Sequence, residues 1–235
     1  SSEFSGLDRF EARKKIIEKI KEKGLFEKEE NIKNKVPYGD RSNSIIEPFL
    51  TEQWFVDAKK LSLKAKKVVK NKKIIFFPSI WLNTYFQWMD NIEPWCISRQ
   101  LWWGHRIPAW YGPDKKVFVE SNESEAKKSA YKYYKKEVEL YRDSDVLDTW
   151  FSSGLWPFAT LGWPYKKDYL KKFYPTTVLV TGFDIIFFWV ARMIMFGMEF
   201  INKVPFKNIY VHALVRDEHG QKMSKSKGNV IDPLE

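Results

Sequence analysis

The spacing of apolar and polar residues predicts two amphipathic helices in the first third of the chain. The first begins at Asp8, a residue type that caps helix N-termini, and ends at Gly24. The second runs from Asp57 to Asn71. Its inward residues are predicted to be Leu61, Ala65, Val68 and Val69. Between the helices the pattern changes to short extended segments and turns, which is typical of a linker or of the end of a domain that began upstream.

Two apolar runs of strand length predict buried strands. The first is Ile74 to Phe77, which Pro78 stops, and the second is Thr176 to Thr181. Ser79 is expected to cap a helix after the first strand. The apolar side of that helix carries Trp81, Leu82, Tyr85, Phe86 and Met89. A glycine turn and a helix from Ile185 to Phe200 follow the second strand, an order typical of open α/β sheets.

The region between these strands has two parts of different character. Trp95 to Trp110 places two strand-like pieces around Gly104. Its interleaved polar residues are Arg99, Gln100, His105 and Arg106. They either tie down loops between buried strands or reach an anionic ligand, and the pattern leaves both open. Residues 114–142 are rich in lysine and tyrosine, with a helix predicted from Glu123 to Lys136, and we expect them to form an insertion on a core domain.

Composition narrows the class of protein. The chain has 235 residues and is 44% hydrophobic, which is enough for a packed core. Its net charge of +10 suits a polyanionic partner such as RNA, although a lysine-rich genome gives the same excess without one. Cys96 is the only cysteine and the three histidines are scattered, so we expect neither a disulfide framework nor a zinc site.

One apolar stretch, Ile185 to Ile201, has about the length needed to span a bilayer. Arg192 and Glu199 interrupt it, and each charge is costly in hydrocarbon. We therefore expect a buried helix there and no membrane partner. The polar stretch Ser1 to Ser5 lacks the apolar core of a signal peptide.

A lysine-rich loop, Gln221 to Asn229, is the first candidate for a binding site. Its sequence is Gln-Lys-Met-Ser-Lys-Ser-Lys-Gly-Asn, so three lysines are separated by small hydroxyl residues. Lysine ammonium groups, hydroxyls and free backbone N–H groups together can hold phosphate. Asp232 and Pro233 predict a helix start just beyond the loop. A nucleic-acid patch or solvated surface remains the alternative.

Gly182 and Asp184 are the second candidate, at the carboxyl end of the strand that begins at Thr176. Ligands bind at this end of open α/β sheets. A glycine lets the backbone come close to a ligand, and the Asp184 carboxylate can accept two hydrogen bonds from a ribose diol. We therefore expect a nucleotide-binding turn here.

A third group of residues suggests a small apolar slot. Asp148 is predicted to cap a helix that carries Trp150. Ile185 and Trp189 are four positions apart, hence one turn apart on the next predicted helix. Trp150, Ile185 and Trp189 can enclose a small ligand, and the same pattern also fits an ordinary core.

Four stretches, taken in this order, resemble the valyl-tRNA synthetases, a family of class I aminoacyl-tRNA synthetases. They are Trp95 to Pro108, Asp145 to Ser153, Val180 to Phe196 and Gln221 to Pro233. The resemblance runs from Gly6 to the last residue. Isoleucyl- and leucyl-tRNA synthetases share the general plan, but Asp148 to Ser153 and Thr181 to Trp189 look like the valine enzymes, so the isoleucine enzyme is the less favoured alternative.

The resemblance implies an α/β fold and an enzyme that activates valine with ATP and transfers it to tRNA(Val). Lys222 and Lys225 are implied as the catalytic residues that stabilise the triphosphate. The implied ATP-binding residues are Gly182, Asp184, Lys222, Met223, Ser224, Lys225 and Ser226. The implied walls of the valine pocket are Trp150, Ile185 and Trp189. Mg²⁺ is expected with ATP, and no metal bound by the protein itself is expected.

The chain also departs from the family pattern, because the His-Ile-Gly-His signature is absent. We expect residues 51–235 to form the second half of a Rossmann-like parallel-sheet catalytic domain, with a small insertion at 114–142. Residues 1–50 look like the closing segment of an inserted editing domain and a linker. This organisation suggests an internal fragment that is inactive without the remainder of the same polypeptide.

Two other functions stay open at this point. One is a non-catalytic tRNA-binding remnant, which the positive charge favours, and the other is one chain of a split synthetase. The composition and the resemblance fit a cytoplasmic protein of translation, and an organellar one is not excluded.

Overall fold

The computed structural model describes most of the chain. Its described residues are 2–39, 42–166, 168–224, 228–230 and 234. The chain divides into two compact units, Ser1–Thr51 and Glu52–Glu235.

The first unit contains a short 3₁₀ turn and the first predicted helix, α1 (Arg9–Glu22). The Asp8 carboxylate caps α1 by accepting a 2.9 Å hydrogen bond from the Phe10 N–H. Gly24 follows its end with a φ of +67°, a conformation that favours glycine. The predicted helix and both of its end signals are therefore confirmed.

The second unit contains ten strands and seven of the eight α-helices in the described part of the chain. In order these are β1 (Phe55–Val56), α2 (Ala58–Lys70), β2 (Ile75–Phe77), α3 (Trp81–Asp90), β3 (Trp95–Cys96), β4 (Ser98–Arg99), β5 (Ala109–Tyr111), β6 (Val117–Val119), α4 (Glu123–Tyr134), β7 (Tyr141–Arg142), β8 (Val146–Leu147), α5 (Thr149–Ser153), α6 (Trp156–Ala159), α7 (Asp168–Phe173), β9 (Thr176–Gly182), α8 (Arg192–Phe196) and β10 (Phe206–His212).

A three-stranded parallel sheet lies at the centre of this unit, in the order β2-β10-β9. Its register pairs Asn208 with both Ile75 and Val178. The two predicted strands are present, but the prediction that they are buried is wrong for half of their residues. Val178 of β9 is 50% exposed and Ile75 of β2 is 43% exposed. Both strands lie at sheet edges. Strand β2 buries only Phe76, in keeping with the two-residue period of a strand, whereas β9 leaves Thr177, Val178 and Val180 exposed.

The core joins one face of this sheet to the helices. Buried residues of α2, α3 and the helical segment after β9 pack with Phe76 and Ile209 of the sheet. In α2 the predicted inward positions are confirmed, with Leu61 only partly buried. The predicted cap at Ser79 is wrong: α3 follows Ile80 without a side-chain cap, and Ser79 accepts the Leu82 N–H through its carbonyl instead.

The helical segment from Phe183 to Ile201 is irregular. It comprises a 3₁₀ turn, a π-helical stretch (Ile186–Ala191), α8 and a second π-helical stretch (Gly197–Ile201). The predicted helix is therefore present, but only its middle is α-helical. Met193 and Ile194 are fully buried, in agreement with the expected buried helix. Among the helices that the structure describes, none has the length and apolarity to cross a membrane.

Residues 109–142 form a small antiparallel layer. The strand order is β6-β5-β7, and α4 connects β6 to β7. The predicted insertion at 114–142 supplies β6, α4 and β7, whereas the central strand β5 lies just before it. The predicted helix from Glu123 to Lys136 ends two residues early, because Lys135 adopts a left-handed conformation with a φ of +58°.

Candidate functional site

The carboxyl ends of two neighbouring parallel strands bring predicted ligand residues together. Strands β9 and β10 end level with each other, with Gly182 opposite His212. The turn after β9 presents Asp184, and the chain after β10 leads to Lys222. The Lys222 Nζ atom lies 2.7 Å from Asp184 Oδ2. Two residues predicted separately, from a turn and from a lysine loop, thus lie in direct contact.

Gly182 makes room for the Asp184 carboxylate. Its backbone has a φ of −73° and a ψ of 154°, which any residue can adopt. A Cβ atom at this position would lie 2.7 Å from Asp184 Oδ1 and 3.3 Å from Leu214 Cδ2. A side chain at position 182 would therefore displace the Asp184 carboxylate, so the glycine lets this carboxylate keep its position.

The lysine loop is entered through a tight hairpin. Arg216 and Lys222 pair as an antiparallel bridge across it. The Arg216 guanidinium also donates a 2.8 Å hydrogen bond to the Gly220 carbonyl. Met223 and Ser224 are half-buried.

Part of the predicted phosphate site lies outside the described residues. This applies to Lys225 and Ser226, and to the predicted helix start at Asp232 and Pro233. Among the implied ATP-binding residues of the loop, the structure gives positions for Lys222, Met223 and Ser224.

An aromatic cavity of about 240 Å³ opens beside Asp184. Trp81 of α3 stacks on Phe183, with ring centroids 5.2 Å apart and planes within 6° of parallel. Trp88, seven residues along α3, packs on Phe187 at 4.4 Å. Both tryptophans line the cavity. Sequence reasoning placed Trp81 in the core and missed this role, since the heptad spacing that puts both residues on one helix face is also the pattern of a core helix.

The structure gives the predicted slot residues separate neighbours. The Trp150 ring stacks on Phe188 at 5.9 Å. Trp189 donates from Nε1 to the Ser153 carbonyl at 2.9 Å and meets Trp156 edge-on at 6.2 Å. Trp150, a residue of α5, thus packs on Phe188, and Trp189 is bonded to the last residue of α5.

Ile185 precedes the π-helical stretch in which Trp189 lies. Hydrogen bonds there run from residue i to i+5, so the α-helical alignment of positions four apart does not apply. The slot formed by Trp150, Ile185 and Trp189 stays a prediction.

The buried carboxylate of Asp148 connects three elements. Oδ1 accepts from the Trp150 N–H at 2.9 Å, so the predicted cap of α5 is confirmed. Oδ2 accepts from Trp95 Nε1 at 2.9 Å and from Arg99 Nη2 at 2.7 Å. The start of α5 is therefore fixed to β3 and β4.

Arg192 lies beside the hydrogen-bonded group of Asp148 and Trp95. Sequence reasoning assigned it no role there. Its guanidinium is centred 3.6 Å above the Trp95 ring, and Nη1 is 3.8 Å from Asp148 Oδ2. That Nη1 atom is buried without a hydrogen-bond partner among the described residues. Burial lowers the pKa of Arg192 to about 10, and the charge of Asp148 opposes this effect. The sequence feature that could have indicated this role is a single arginine within a predicted apolar helix.

Other polar residues of the 95–110 stretch tie down loops, one of the two roles that the sequence left open. Arg106 donates to the Asp143 carbonyl at 2.8 Å, and Gln100 donates to the Asp145 carboxylate at 2.7 Å. No group of three or more histidine, cysteine or acidic residues in the described part of the chain could hold a metal ion.

Comparison with known proteins gives three findings. A family profile described as tRNA synthetases class I (I, L, M and V) matches residues 6–235. The valine–tRNA ligase of Pelagibacter ubique (strain HTCC1062) is 78% identical over 233 residues, which cover 99% of this chain and 27% of the relative. That of Brucella melitensis biotype 1 is 59% identical over 233 residues, which cover 99% of this chain and 26% of the relative.

Among solved structures, Mycobacterium tuberculosis methionyl-tRNA synthetase bound by methionyl-adenylate matches with a TM-score of 0.54 and 17% sequence identity. The match covers 85% of this chain and 33% of that chain. This likeness shows the fold alone. The chain spans about a quarter of the length of the curated relatives described above.

Proposed function

Because the chain belongs to the class I tRNA synthetases of the I, L, M and V group, we propose that it forms part of the catalytic core of a valine–tRNA ligase. Valine is proposed as the amino-acid substrate because of the high identity to the Pelagibacter ubique enzyme over nearly the whole chain. The proposed reaction joins valine to ATP as valyl-adenylate and then transfers the valyl group to tRNA(Val). The net charge of +10 supports tRNA as a polyanionic partner.

The proposed architecture follows the division of the structure. Residues 51–235 are the second half of a Rossmann-like catalytic domain, and the parallel β2-β10-β9 sheet supports this. Residues 1–50 are the closing segment of an editing insertion and a linker, which the boundary between the units after Thr51 supports. Residues 114–142 are a small insertion, in keeping with their separate antiparallel layer.

In the proposed nucleotide site, Asp184 accepts hydrogen bonds from the ribose diol of ATP and Gly182 leaves space for that carboxylate. Lys222 then lies within reach of the phosphates, since its ammonium is 2.7 Å from Asp184. Met223, Ser224, Lys225 and Ser226 complete the proposed phosphate loop. The contact between Asp184 and Lys222 is the geometric observation that supports a single site most directly.

The chemistry needs positioning and positive charge more than proton transfer. An oxygen of the valine carboxylate attacks the α-phosphorus of ATP, and pyrophosphate leaves with the electrons of the broken P–O bond. Lys222 and Lys225 stabilise the charge that develops on the leaving group. Mg²⁺ would bind the ATP phosphates, its usual place in such sites, and would neutralise part of their charge. Trp150, Ile185 and Trp189 are the proposed walls of the valine pocket.

A chimera tests this function. The 233 matching residues of the Pelagibacter ubique ligase would be replaced by those of this chain, and ATP–pyrophosphate exchange and charging of tRNA(Val) would be measured. Valine is expected to drive exchange more efficiently than isoleucine. A folded chimera without valine-dependent exchange would contradict the proposal, and a preference for isoleucine would favour the isoleucine enzyme.

The second part of the experiment measures the same exchange reaction with the isolated 235-residue chain. We expect no exchange from it, because the His-Ile-Gly-His signature is absent from its sequence. Turnover comparable to that of the chimera would show that the site is complete in this chain. Salt-sensitive tRNA binding without exchange by the chimera would instead support the non-catalytic alternative.

A further inference from the structure

We propose that Asp217 and Asn229 are positioning residues for the lysine loop, and that their paired side chains form a clasp that holds the two ends of the loop together. The inference rests on the proposed function, because it assigns a role in ATP use to residues on either side of the phosphate loop. Asn229 ends the predicted lysine loop, but the sequence indicated no role for either residue.

Both polar atoms of the Asn229 carboxamide form hydrogen bonds. Oδ1 accepts from the Ser224 N–H at 2.9 Å. Nδ2 donates to Asp217 Oδ2 at 2.7 Å, and the Lys222 carbonyl lies 3.4 Å away. Ser224 precedes residues 225–227 and Asn229 follows them, so one side chain closes the loop across its base.

The carboxylate of Asp217 is the fixed partner of this amide. Its Oδ1 atom accepts from the Gln221 N–H at 2.7 Å and from the His219 N–H at 3.0 Å. The Asp217 N–H also donates to the Gln221 carbonyl at 2.9 Å. Asp217 therefore organises the hairpin that leads from β10 into the loop, and its second oxygen is directed at Asn229. Hydrogen bonds to an ionised acceptor are stronger than neutral ones.

This arrangement connects the loop to the rest of the site. Lys222 belongs to the same hairpin and contacts Asp184 on the neighbouring element. A closed loop loses less conformational freedom when it binds phosphate than an open one, so fixing both ends favours the bound geometry before ATP arrives. The clasp itself touches no proposed substrate atom, so its residues position the lysines and are not catalytic.

Exchanging the Asn229 amide and the Asp217 carboxylate between the two positions by mutation gives a selective test. In Asn229→Asp the Ser224 N–H keeps an acceptor, but two carboxylates then face each other. In Asp217→Asn two amide groups face each other. In the double variant Asp217→Asn/Asn229→Asp the new amide at 217 can donate to the new carboxylate at 229, while its oxygen still accepts from the hairpin N–H groups. The pairing is thus restored, with residue 217 now the donor and residue 229 the acceptor.

The experiment uses the chimera with the Pelagibacter ubique ligase and measures kcat and KM of ATP–pyrophosphate exchange for ATP and for valine. We expect Asn229→Ala and Asn229→Asp to lower kcat/KM for ATP by about tenfold, the effect of one to two lost hydrogen bonds. The valine KM should change less than about twofold, since none of the lost bonds involves a residue of the proposed valine pocket. The double variant should recover most of the loss. Glu218→Gln, in the same hairpin and exposed, is the matched control.

The outcomes separate the two proposals. If the unmodified chimera has no exchange activity, the proposed function fails and the clasp fails with it. If it is active and Asn229→Ala behaves like Glu218→Gln, the clasp alone is overturned. A double variant no better than Asn229→Asp, or an equal loss for ATP and valine with a lowered melting temperature, also overturns it, because a purely structural role gives that result.

Discussion

Lys222 Nζ and Asp184 Oδ2 lie 2.7 Å apart, although thirty-eight positions separate the two residues. The contact joins the turn after β9 to the hairpin after β10. The side chains are 61% and 31% exposed, so the ion pair contributes at most about 1 kcal/mol to folding. Its importance is geometric: it brings the proposed ribose-binding carboxylate and a proposed phosphate-binding ammonium into one site.

Replacing Lys222 with methionine should therefore reduce activity without loss of stability. We expect kcat of ATP–pyrophosphate exchange in the chimera to fall about a hundredfold, as for loss of one group that stabilises transition-state charge. The melting temperature should stay within about 2 °C, because an exposed ion pair adds little. Lys207→Met, an exposed lysine of β10, is the control. Equal losses in both variants would mean that general charge, and not position, matters.

Gly182→Ala should impair ATP binding through Asp184. The added Cβ would lie 2.7 Å from Asp184 Oδ1, and that carboxylate is the free end of a side chain that can move. We expect KM for ATP to rise about tenfold, equivalent to one strong hydrogen bond, with little change in stability. Gly154→Ala is the contrasting variant, because its Cβ would lie 2.8 Å from the Phe196 ring in the core.

The Gly154 variant should lose about 1–3 kcal/mol of stability by overpacking and keep its KM for ATP. Exchange kinetics and urea unfolding of both variants distinguish the two effects. A stability loss in Gly182→Ala as large as that in Gly154→Ala would contradict the assigned role of Gly182.

Local signals explain which parts of the fold the sequence predicted correctly. The predicted helix caps at Asp8 and Asp148 depend on neighbouring N–H groups only, and both form in the structure. The buried state of β2 and β9 depends on their place in the sheet, which is set by pairing with residues far away along the chain. For that reason the strands were predicted and their exposed residues were not.

The same distinction applies to the candidate site. Asp184 and Lys222 were each predicted from local residues and from the family resemblance, but their contact depends on the level ends of β9 and β10. Asn229 lies next to the lysines and gave no signal of its own, because its partner Asp217 is twelve positions away. Arg192 was visible as a charge in an apolar run, and its position over Trp95 requires the folded chain.

Asp148→Ala should strongly destabilise the 235-residue chain. The substitution removes the acceptor of two side-chain hydrogen bonds and leaves the buried Arg192 without its nearby negative charge. Breaking such a pair typically costs about 3–5 kcal/mol in free energy of unfolding. Asp145→Asn, which alters an acceptor of the exposed Gln100, should change it by less than about 0.5 kcal/mol. Urea unfolding checks both values.

The double variant Asp148→Ala/Arg192→Met gives a further check by the same measurement. Methionine removes the buried cation, so the double variant should lose less stability than the sum of the two single variants. Strict additivity would show that Arg192 and Asp148 do not interact.

Asp143 is a second buried carboxylate with strong donors. Its Oδ2 accepts from the Tyr111 hydroxyl at 2.6 Å and from Trp54 Nε1 at 2.9 Å. Burial by itself raises the pKa of Asp143, but the hydrogen bonds from Tyr111 and Trp54 outweigh it, so the net pKa is lowered. Burial, together with the Asp143 carboxylate, raises the pKa of Tyr111 to about 12.

These shifts set the acid dependence of folding stability. A carboxyl whose pKa is lower in the folded chain stabilises it above the unfolded pKa of about 3.9, and this contribution disappears as the pH falls through the folded pKa. Asp143→Asn should therefore be less stable than the parent chain at pH 7, and the difference in free energy of unfolding should shrink as the pH falls below about 4. Urea unfolding between pH 7 and pH 3 measures it, with Asp145→Asn as the control. A difference that stayed constant across this range would show that the charge of Asp143 contributes nothing to the network.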